Sequence, residues 1–157
     1  MYYLLKCWCS SATRGHNDPQ AVGGVAVWFP NLIPGTDRGR YFRGLPPTPA
    51  TPVTPKRAAV EAIFLALEVA QHINRTLPGA QRMILTVHTD SDWVEDAMHE
   101  LMDYWIENHW INPDGSKAPD RDLLIEADQM RMGIEDRGGN VVFTKVSPES
   151  NTVKLAA

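Results

Sequence analysis

At 157 residues, 43% of them hydrophobic and 22% charged, the chain has the length and composition of one globular domain. This composition excludes an intrinsically disordered chain, and no apolar run approaches the ~20 residues that a membrane-spanning helix needs. The N-terminal stretch MYYLLKCWCSS lacks the basic start and long apolar segment of a signal peptide, so a cytoplasmic or nuclear location is expected.

Three strands are predicted in the first third of the chain. Residues 2–9, 21–29 and 40–45 are rich in β-branched and aromatic side chains, and turn-forming stretches separate them. Short connections of this kind favour an antiparallel meander. Cys7 and Cys9 lie on the first strand and are interpreted as buried thiols, because a structural zinc site needs four ligands.

A proline-rich stretch, GLPPTPATPVTP, follows the third strand and is predicted to be an extended connection. Its P-x-x-P spacings also suit a polyproline ligand of an SH3-type groove, which is the alternative interpretation. Thr54 is predicted to be the N-cap and Pro55 the first residue of a helix that continues through KRAAVEAIFLALEVAQHIN.

The second half of the chain is predicted to alternate between strands and helices. Residues 81–90 form a near-continuous apolar strand, the pattern expected when helices cover both faces. The stretch SDWVEDAMHELMDYWIENHW is predicted to be helical with a kink or split near its middle. A second amphipathic helix over 120–136 and a last strand over 140–146 complete the order β-β-β-α-β-α-α-β. This order predicts an α/β fold with a mixed sheet and helices on both faces.

The net charge of −4 is unevenly distributed along the chain. Residues 1–90 carry a net charge of +4, whereas residues 91–137 hold four basic residues against thirteen acidic ones, a net charge of −9. The last twenty residues add a net charge of +1. The middle of the chain is therefore predicted to present a strongly acidic surface, which bears on the partners that it can bind.

The order of the elements, together with several phrases inside them, resembles type 1 ribonuclease H (RNase H). AVGGVAVWF is similar to the second strand of the family, TPKRAAVEAIFLALE to its first helix, and LTVHTDSDWV to its central strand. WIENHWINPDGSKAPDRDLLIEAD, which contains Trp105 and Trp110, is similar to the basic handle and the helix after it. The resemblance covers nearly all of residues 1–157 and implies a single RNase H-like domain with a mixed five-stranded sheet.

The resemblance also implies a place for a metal-dependent nuclease site. The family cleaves RNA in RNA–DNA hybrids with two Mg²⁺ ions about 4 Å apart, held by four carboxylates. Carried over by motif, those carboxylates fall at Cys9, Ala59, Asp90 and Val153, of which only Asp90 is acidic. The family's loop histidine has no counterpart either, because SPES occupies its place.

Neighbouring acidic residues are weak substitutes for the missing ligands. Glu61 lies two residues beyond Ala59, roughly 200° around the helix, and is predicted to point away from the site. Asp92 follows Asp90 closely enough to assist one weakly held ion, and Asp18 lies in a turn. No metal cofactor is therefore expected, and Mg²⁺ would be required only if the chain were an active nuclease.

The nucleic-acid contacts that the resemblance implies are also reduced. They consist of Thr54, Lys56 and Arg57 at the start of the first helix, with Pro52 two residues upstream of Thr54. The stretch corresponding to the basic handle lies inside the acidic region, whereas affinity for nucleic acid comes mainly from neutralised phosphates. Binding of an RNA–DNA hybrid is therefore not expected.

Three functions are consistent with the sequence. The favoured one is a catalytically inactive RNase H-like protein that acts as a protein-interaction or assembly module, with a protein partner or a second copy of itself. The first alternative is a hybrid endoribonuclease with relocated ligands. The second is a non-catalytic nucleic-acid binder whose basic side chains come from the N-terminal part, namely Arg38, Arg40, Arg43, Lys56 and Arg57.

Two structural roles are predicted around the altered site. Asp90 is expected to be structural, accepting hydrogen bonds from backbone N–H groups or from Ser91 at the start of the following helix. Cys9, Val153, Leu155 and the alanines of the first helix are expected to form an apolar contact surface for another chain.

Overall fold

A computed structural model describes residues 1–15, 20–30, 32, 39–46 and 53–151 of the chain. The five strands are β1 (Tyr2–Arg14), β2 (Val22–Trp28), β3 (Arg40–Leu45), β4 (Arg82–Thr89) and β5 (Asn140–Lys145). They form one sheet in the order β3-β2-β1-β4-β5. β1 pairs antiparallel with β2 and parallel with β4, so the predicted meander and mixed sheet are confirmed.

Helix α1 spans Pro55–Thr76 and is the longest helix of the described chain. It begins as predicted, because Thr54 has extended backbone angles, its side chain accepts a hydrogen bond from the Arg57 N–H, and Pro55 occupies the first turn. One long side of the helix is made of alanine, valine, isoleucine and leucine and is buried. That side packs on β1, β2 and β4.

The acidic helix after β4 is interrupted, as the sequence predicts. It consists of α2 (Asp92–Asp96), a π-helical turn (Ala97–Leu101) and α3 (Met102–Glu107). Helix α4 (Arg121–Asp136) packs beside α1 and leads into β5, and a short 3-10 turn (Pro148–Ser150) follows β5. Among these helices none is both long and apolar enough to cross a membrane.

The core lies on one face of the sheet. Every second residue of the central strands is buried there, including Leu5, Cys7 and Cys9 of β1 and Leu85 and Val87 of β4. The alternate residues of β4 are only half-buried, so this strand does not have the two-sided burial that its apolar sequence predicted. Within the described ranges, the helices cover one face of the sheet. The sequence predicted helices on both faces, but no helix of the described ranges covers the opposite face.

Candidate functional site

The fold brings two of the four carried-over ligand positions, Cys9 and Asp90, to neighbouring strand ends. Cys9 lies opposite Thr89 in the parallel β1–β4 ladder, and Asp90 follows Thr89 directly. Ala59 lies on α1, within the same buried cluster as Cys9. Val153, the fourth position, lies outside the described residues.

The first two positions offer no oxygen ligand from a side chain. Cys9 is 1% exposed and Ala59 is 7% exposed, and both pack as apolar side chains. Burial raises the pKa of the neighbouring Cys7 thiol, and the contact with Cys9 raises it further, so Cys7 stays a neutral thiol at physiological pH. The interpretation of the two cysteines as free, buried thiols is confirmed.

Asp90 is held by an amide group. The Asn151 side chain, in a residue that is 2% exposed, donates hydrogen bonds from Nδ2 to the Asp90 carboxylate at 3.1 Å and to the Cys9 carbonyl at 2.8 Å. Asn151 thereby joins the end of β1 to the end of β4. No motif in the sequence identifies Asn151, because its partners lie 61 and 142 residues away.

The start of α2 corrects one prediction about Asp90. Ser91 is the N-cap, since its side chain accepts a hydrogen bond from the Val94 N–H at 3.2 Å. The Ser91 N–H donates to the Thr89 hydroxyl at 3.1 Å. Asp90 stands one residue before the cap and accepts a hydrogen bond from the Asn151 amide, a donor that differs from the backbone N–H groups and Ser91 that were expected.

Neighbouring acidic side chains are engaged elsewhere. Asp92 forms an ion pair with Lys145 on β5. Glu61 is close enough to the charges of Arg57 and Arg43 to be affected by them, yet burial dominates and raises its pKa. Asp18 lies outside the described residues.

The residues present do not fit the two Mg²⁺ ions that the resemblance implies. A hard divalent cation needs several oxygen ligands, and paired metal sites share carboxylates between the two ions. The described side chains at this point supply one carboxylate, which already accepts a hydrogen bond from Asn151. Across the described ranges no group of three or more His, Cys, Asp or Glu side chains is placed to hold a metal ion.

The residues expected to contact phosphates are tied to the protein itself. Arg57 donates to Asp120 at 3.1 Å and to both carboxylate oxygens of Asp122, and its side chain is 14% exposed. The hydrogen bond with Asp122 is the largest contribution to the raised pKa of Arg57. The Lys56 ammonium lies over the Trp93 ring, 4.6 Å from its centroid. Both cations are therefore already engaged within the molecule.

The other described basic residues expected to bind nucleic acid also interact with side chains of the protein itself. Arg43 pairs with Glu68 at 2.8 Å, and the Arg40 guanidinium lies 4.5 Å from the centroid of the Trp28 ring. Arg38 and Pro52 lie outside the described residues. Within the described ranges, no free row of cations follows the start of α1.

The segment that resembles the handle keeps its scaffold. The Trp105 indole N–H donates to Asn112 at 2.9 Å, and the Trp105 and Trp110 rings stack with centroids 6.1 Å apart. Ser116 donates two hydrogen bonds to Asp114, which lower the pKa of that carboxyl. The tryptophans thus order a turn whose charged side chain is acidic.

The predicted contact surface around Cys9 was wrong. Cys9 and the first-helix alanines Ala58, Ala59 and Ala62 are buried inside the core and cannot contact another chain. The error arose because the apolar replacements were read as exposed, whereas they complete the packing of α1 on the sheet. Val153 and Leu155, the other two residues of that surface, lie outside the described residues.

The chain is similar to several proteins of known structure. No protein-family model matches the chain, and no curated protein matches it. LC9-RNase H1, a type 1 RNase H with the type 2 active-site motif, is similar with a TM-score of 0.67 and 19% identity, over 94% of this chain and 64% of that one. The chain therefore spans just under two thirds of the length of LC9-RNase H1.

Two further structures agree over more of their own length. LC11-RNase H1, solved with an RNA/DNA hybrid, gives a TM-score of 0.65 and 16% identity over 94% of this chain and 88% of that one. RNase H1 from the halophilic archaeon Halobacterium salinarum gives a TM-score of 0.55 and 17% identity over 95% and 89% of the two chains. At sequence identities this low, the similarity shows a shared fold and does not show a shared activity. By its sheet order, its helices and these likenesses, the chain has the RNase H-like fold.

Proposed function

We propose that this chain is a non-catalytic RNase H-like protein that acts as a protein-interaction module. The observation that carries the proposal is the hydrogen bonding of Asp90. Its carboxylate is bound by the Asn151 amide, which also binds the Cys9 carbonyl, and the other two described ligand positions hold a buried thiol at Cys9 and a buried methyl group at Ala59. The neutral Asn151 amide thus donates a hydrogen bond to the single carboxylate of this site, whereas a two-metal nuclease needs several carboxylates there.

The electrostatics support the same proposal. The net charge of residues 91–137 is −9, so the handle-like segment repels a phosphate backbone. Arg57, the best-placed cation near the site, is paired with Asp120 and Asp122. A surface with these charges favours proteins over nucleic acids as partners.

The direct test is cleavage of a labelled RNA–DNA hybrid in the presence of Mg²⁺ or Mn²⁺, with the wild-type chain beside Asp90→Asn. We expect no cleavage above the level of the Asp90→Asn control. Cleavage that depends on the metal and disappears in Asp90→Asn would establish the nuclease alternative instead.

A restoration series sharpens the test. Cys9→Asp, Ala59→Glu and Val153→Asp together return carboxylates to the three altered positions, and Asn151→Ala in the same chain removes the amide from Asp90. We expect cleavage at most in this combined variant, with weak substrate affinity because the acidic segment is unchanged. The folded state of each variant is checked by circular dichroism, since a carboxylate at Cys9 enters the core.

A further inference from the structure

The face of the sheet opposite α1, here called the open sheet face, carries exposed apolar side chains around a centre where Ser10 and Ala26 are buried. Strand residues that lie directly across from one another share a face, which places Leu4, Lys6 and Trp8 of β1 beside Ile84, Thr86 and His88 of β4. Among the large apolar side chains exposed in the described ranges, five lie on this face: Tyr2, Leu4, Val22, Phe42 and Val142. Leu4 and Phe42 are 69% and 66% exposed.

The open sheet face is also basic. The five strands contain no aspartate or glutamate, and this face carries Lys6, Arg40 and Arg82 among its apolar side chains. A contact with its own symmetric copy would bring these like charges together, which costs several kcal/mol when such charges are juxtaposed. The basic side chains therefore favour an acidic occupant over a symmetric copy of the same face.

The aromatic rings of the face already contact one another. Trp8 stacks on His88 with ring centroids 4.2 Å apart and an interplanar angle of 6°, and Arg40 lies over Trp28. Ring faces used in this way are not available to stack with nucleobases. These contacts favour a protein as the occupant over a single-stranded nucleic acid.

A surface with the complementary charge exists on this chain. The interrupted helix after β4 exposes four carboxylates, on Asp96, Glu100, Asp103 and Glu107, none of which forms an ion pair within the described ranges. Tyr104 and Ile106, 37% and 42% exposed, supply apolar area on the same segment. These six residues are called the acidic helix surface.

We infer that the open sheet face binds the acidic helix surface of a second copy of this chain. The contact joins two different surfaces, so association is head-to-tail and continues beyond a dimer or closes into a ring. It deepens the proposed function, on which it rests, by naming the partner of the binding module as another copy. The attraction combines burial of Leu4, Phe42 and Val142 with pairing of opposite charges.

Two variants separate the two surfaces. Leu4→Glu with Lys6→Glu reverses the open sheet face, and Asp103→Lys with Ile106→Lys reverses the acidic helix surface. Met132→Glu is the matched control, because Met132 is an apolar side chain on α4, 47% exposed, that belongs to neither surface. Sedimentation velocity from micromolar to millimolar concentration measures association at low and at high salt.

We expect the wild type and Met132→Glu to associate with rising concentration, and to dissociate at high salt because paired surface charges are screened. Each double variant alone should associate at least about tenfold more weakly. An equimolar mixture of the two double variants should associate again, because the intact acidic helix surface of one variant meets the intact open sheet face of the other.

A strictly monomeric wild type, or a mixture that stays monomeric, would overturn the inference. The same holds if a single-stranded oligonucleotide binds to a monomeric wild type and the open-face variant loses that binding. These outcomes leave the hybrid-cleavage result untouched, so failure of the inference and failure of the proposed function are distinguishable.

Discussion

Asn151 shows how one side chain satisfies two groups that an altered site leaves behind. A buried carboxylate without a partner is unfavourable, and so is the free carbonyl at Cys9. The Asn151 amide donates to both from the same nitrogen atom. The site is thereby held together by hydrogen bonds from one neutral amide group, which need no metal ion.

Replacement of Asn151 by alanine should lower the free energy of unfolding by about 1–3 kcal/mol, because the half-buried Asp90 carboxylate and the Cys9 carbonyl lose their shared donor. Urea denaturation measures the change. Glu149→Ala, in the exposed turn before it, is the control and should stay within about 0.5 kcal/mol of the wild type. An unchanged midpoint for Asn151→Ala would contradict this role.

A double-mutant cycle with Asp90→Ala isolates the pair itself. If the Asn151–Asp90 hydrogen bond stabilises the fold, the two changes should be non-additive by at least about 0.5 kcal/mol. Additive effects would place the role of Asn151 in its bond to the Cys9 carbonyl alone.

For the helices and strands, the sequence predicted the features that depend on residues close together in the chain, such as helix caps and helix starts. The Thr54 cap and Pro55 start of α1 were correct because capping depends on residues within one turn. The split of the helix after β4 was also predicted. The Arg57–Asp122 pair was not, because its members lie 65 residues apart and meet only when α4 packs beside α1.

Thr54→Ala should destabilise the protein by about 1 kcal/mol, since the Arg57 N–H loses its side-chain acceptor at the start of α1. Thermal or urea denaturation measures the loss. Thr54→Ser keeps the hydroxyl group and should retain most of the stability. If both variants behave alike, the hydroxyl is not the source of the effect.

The Arg57–Asp122 pair should make stability depend on acid pH. The hydrogen bond from Arg57 lowers the pKa of Asp122 below its ordinary value of 3.8. A carboxyl with a lowered pKa in the folded state contributes stability above its unfolded pKa, and loses it as pH falls through the folded value. The contribution should therefore be complete above about pH 4 and disappear below it.

Carbon-13 NMR of the Asp122 carboxyl measures this shift directly. In Arg57→Met the pKa of Asp122 should rise toward 3.8, and the acid-dependent part of stability should shrink with it. A pKa that stays low in Arg57→Met would assign the shift to other groups around the start of α4.

For the whole molecule, the sequence predicted the mixed sheet but not which of its apolar residues are buried and which are exposed. The mixed five-stranded sheet was predicted from the element order and the resemblance, and the structure adds the strand order β3-β2-β1-β4-β5. The Cys9 surface was wrong because sequence alone does not tell an apolar residue that fills a core from one that faces another chain. The exposure of Leu4 and Phe42 was missed for the same reason.

The charge distribution predicts weak and unspecific contact with nucleic acid. A protein that neutralises several phosphates loses affinity steeply as salt rises, by roughly one power of the salt concentration for each phosphate. With Arg57 and Lys56 engaged internally, any hybrid binding should show a shallow salt dependence in a fluorescence anisotropy titration. A steep slope, reduced in Lys56→Ala, would show that α1 does contact phosphates.

Metal binding at Asp90 is measured by a Mn²⁺ titration followed by NMR line broadening, because paramagnetic Mn²⁺ occupies Mg²⁺ sites and broadens the signals of the amides around it. We predict no saturable broadening centred on the Asp90 and Thr89 amides. The Asp90 carboxylate accepts a hydrogen bond from the Asn151 amide, and the Cys9 and Ala59 side chains supply no oxygen ligand. Any broadening should instead lie along the exposed carboxylates of α2 and α3. Saturable broadening centred on Asp90 that is lost in Asp90→Asn would show that the site binds a metal ion and would overturn the non-catalytic proposal.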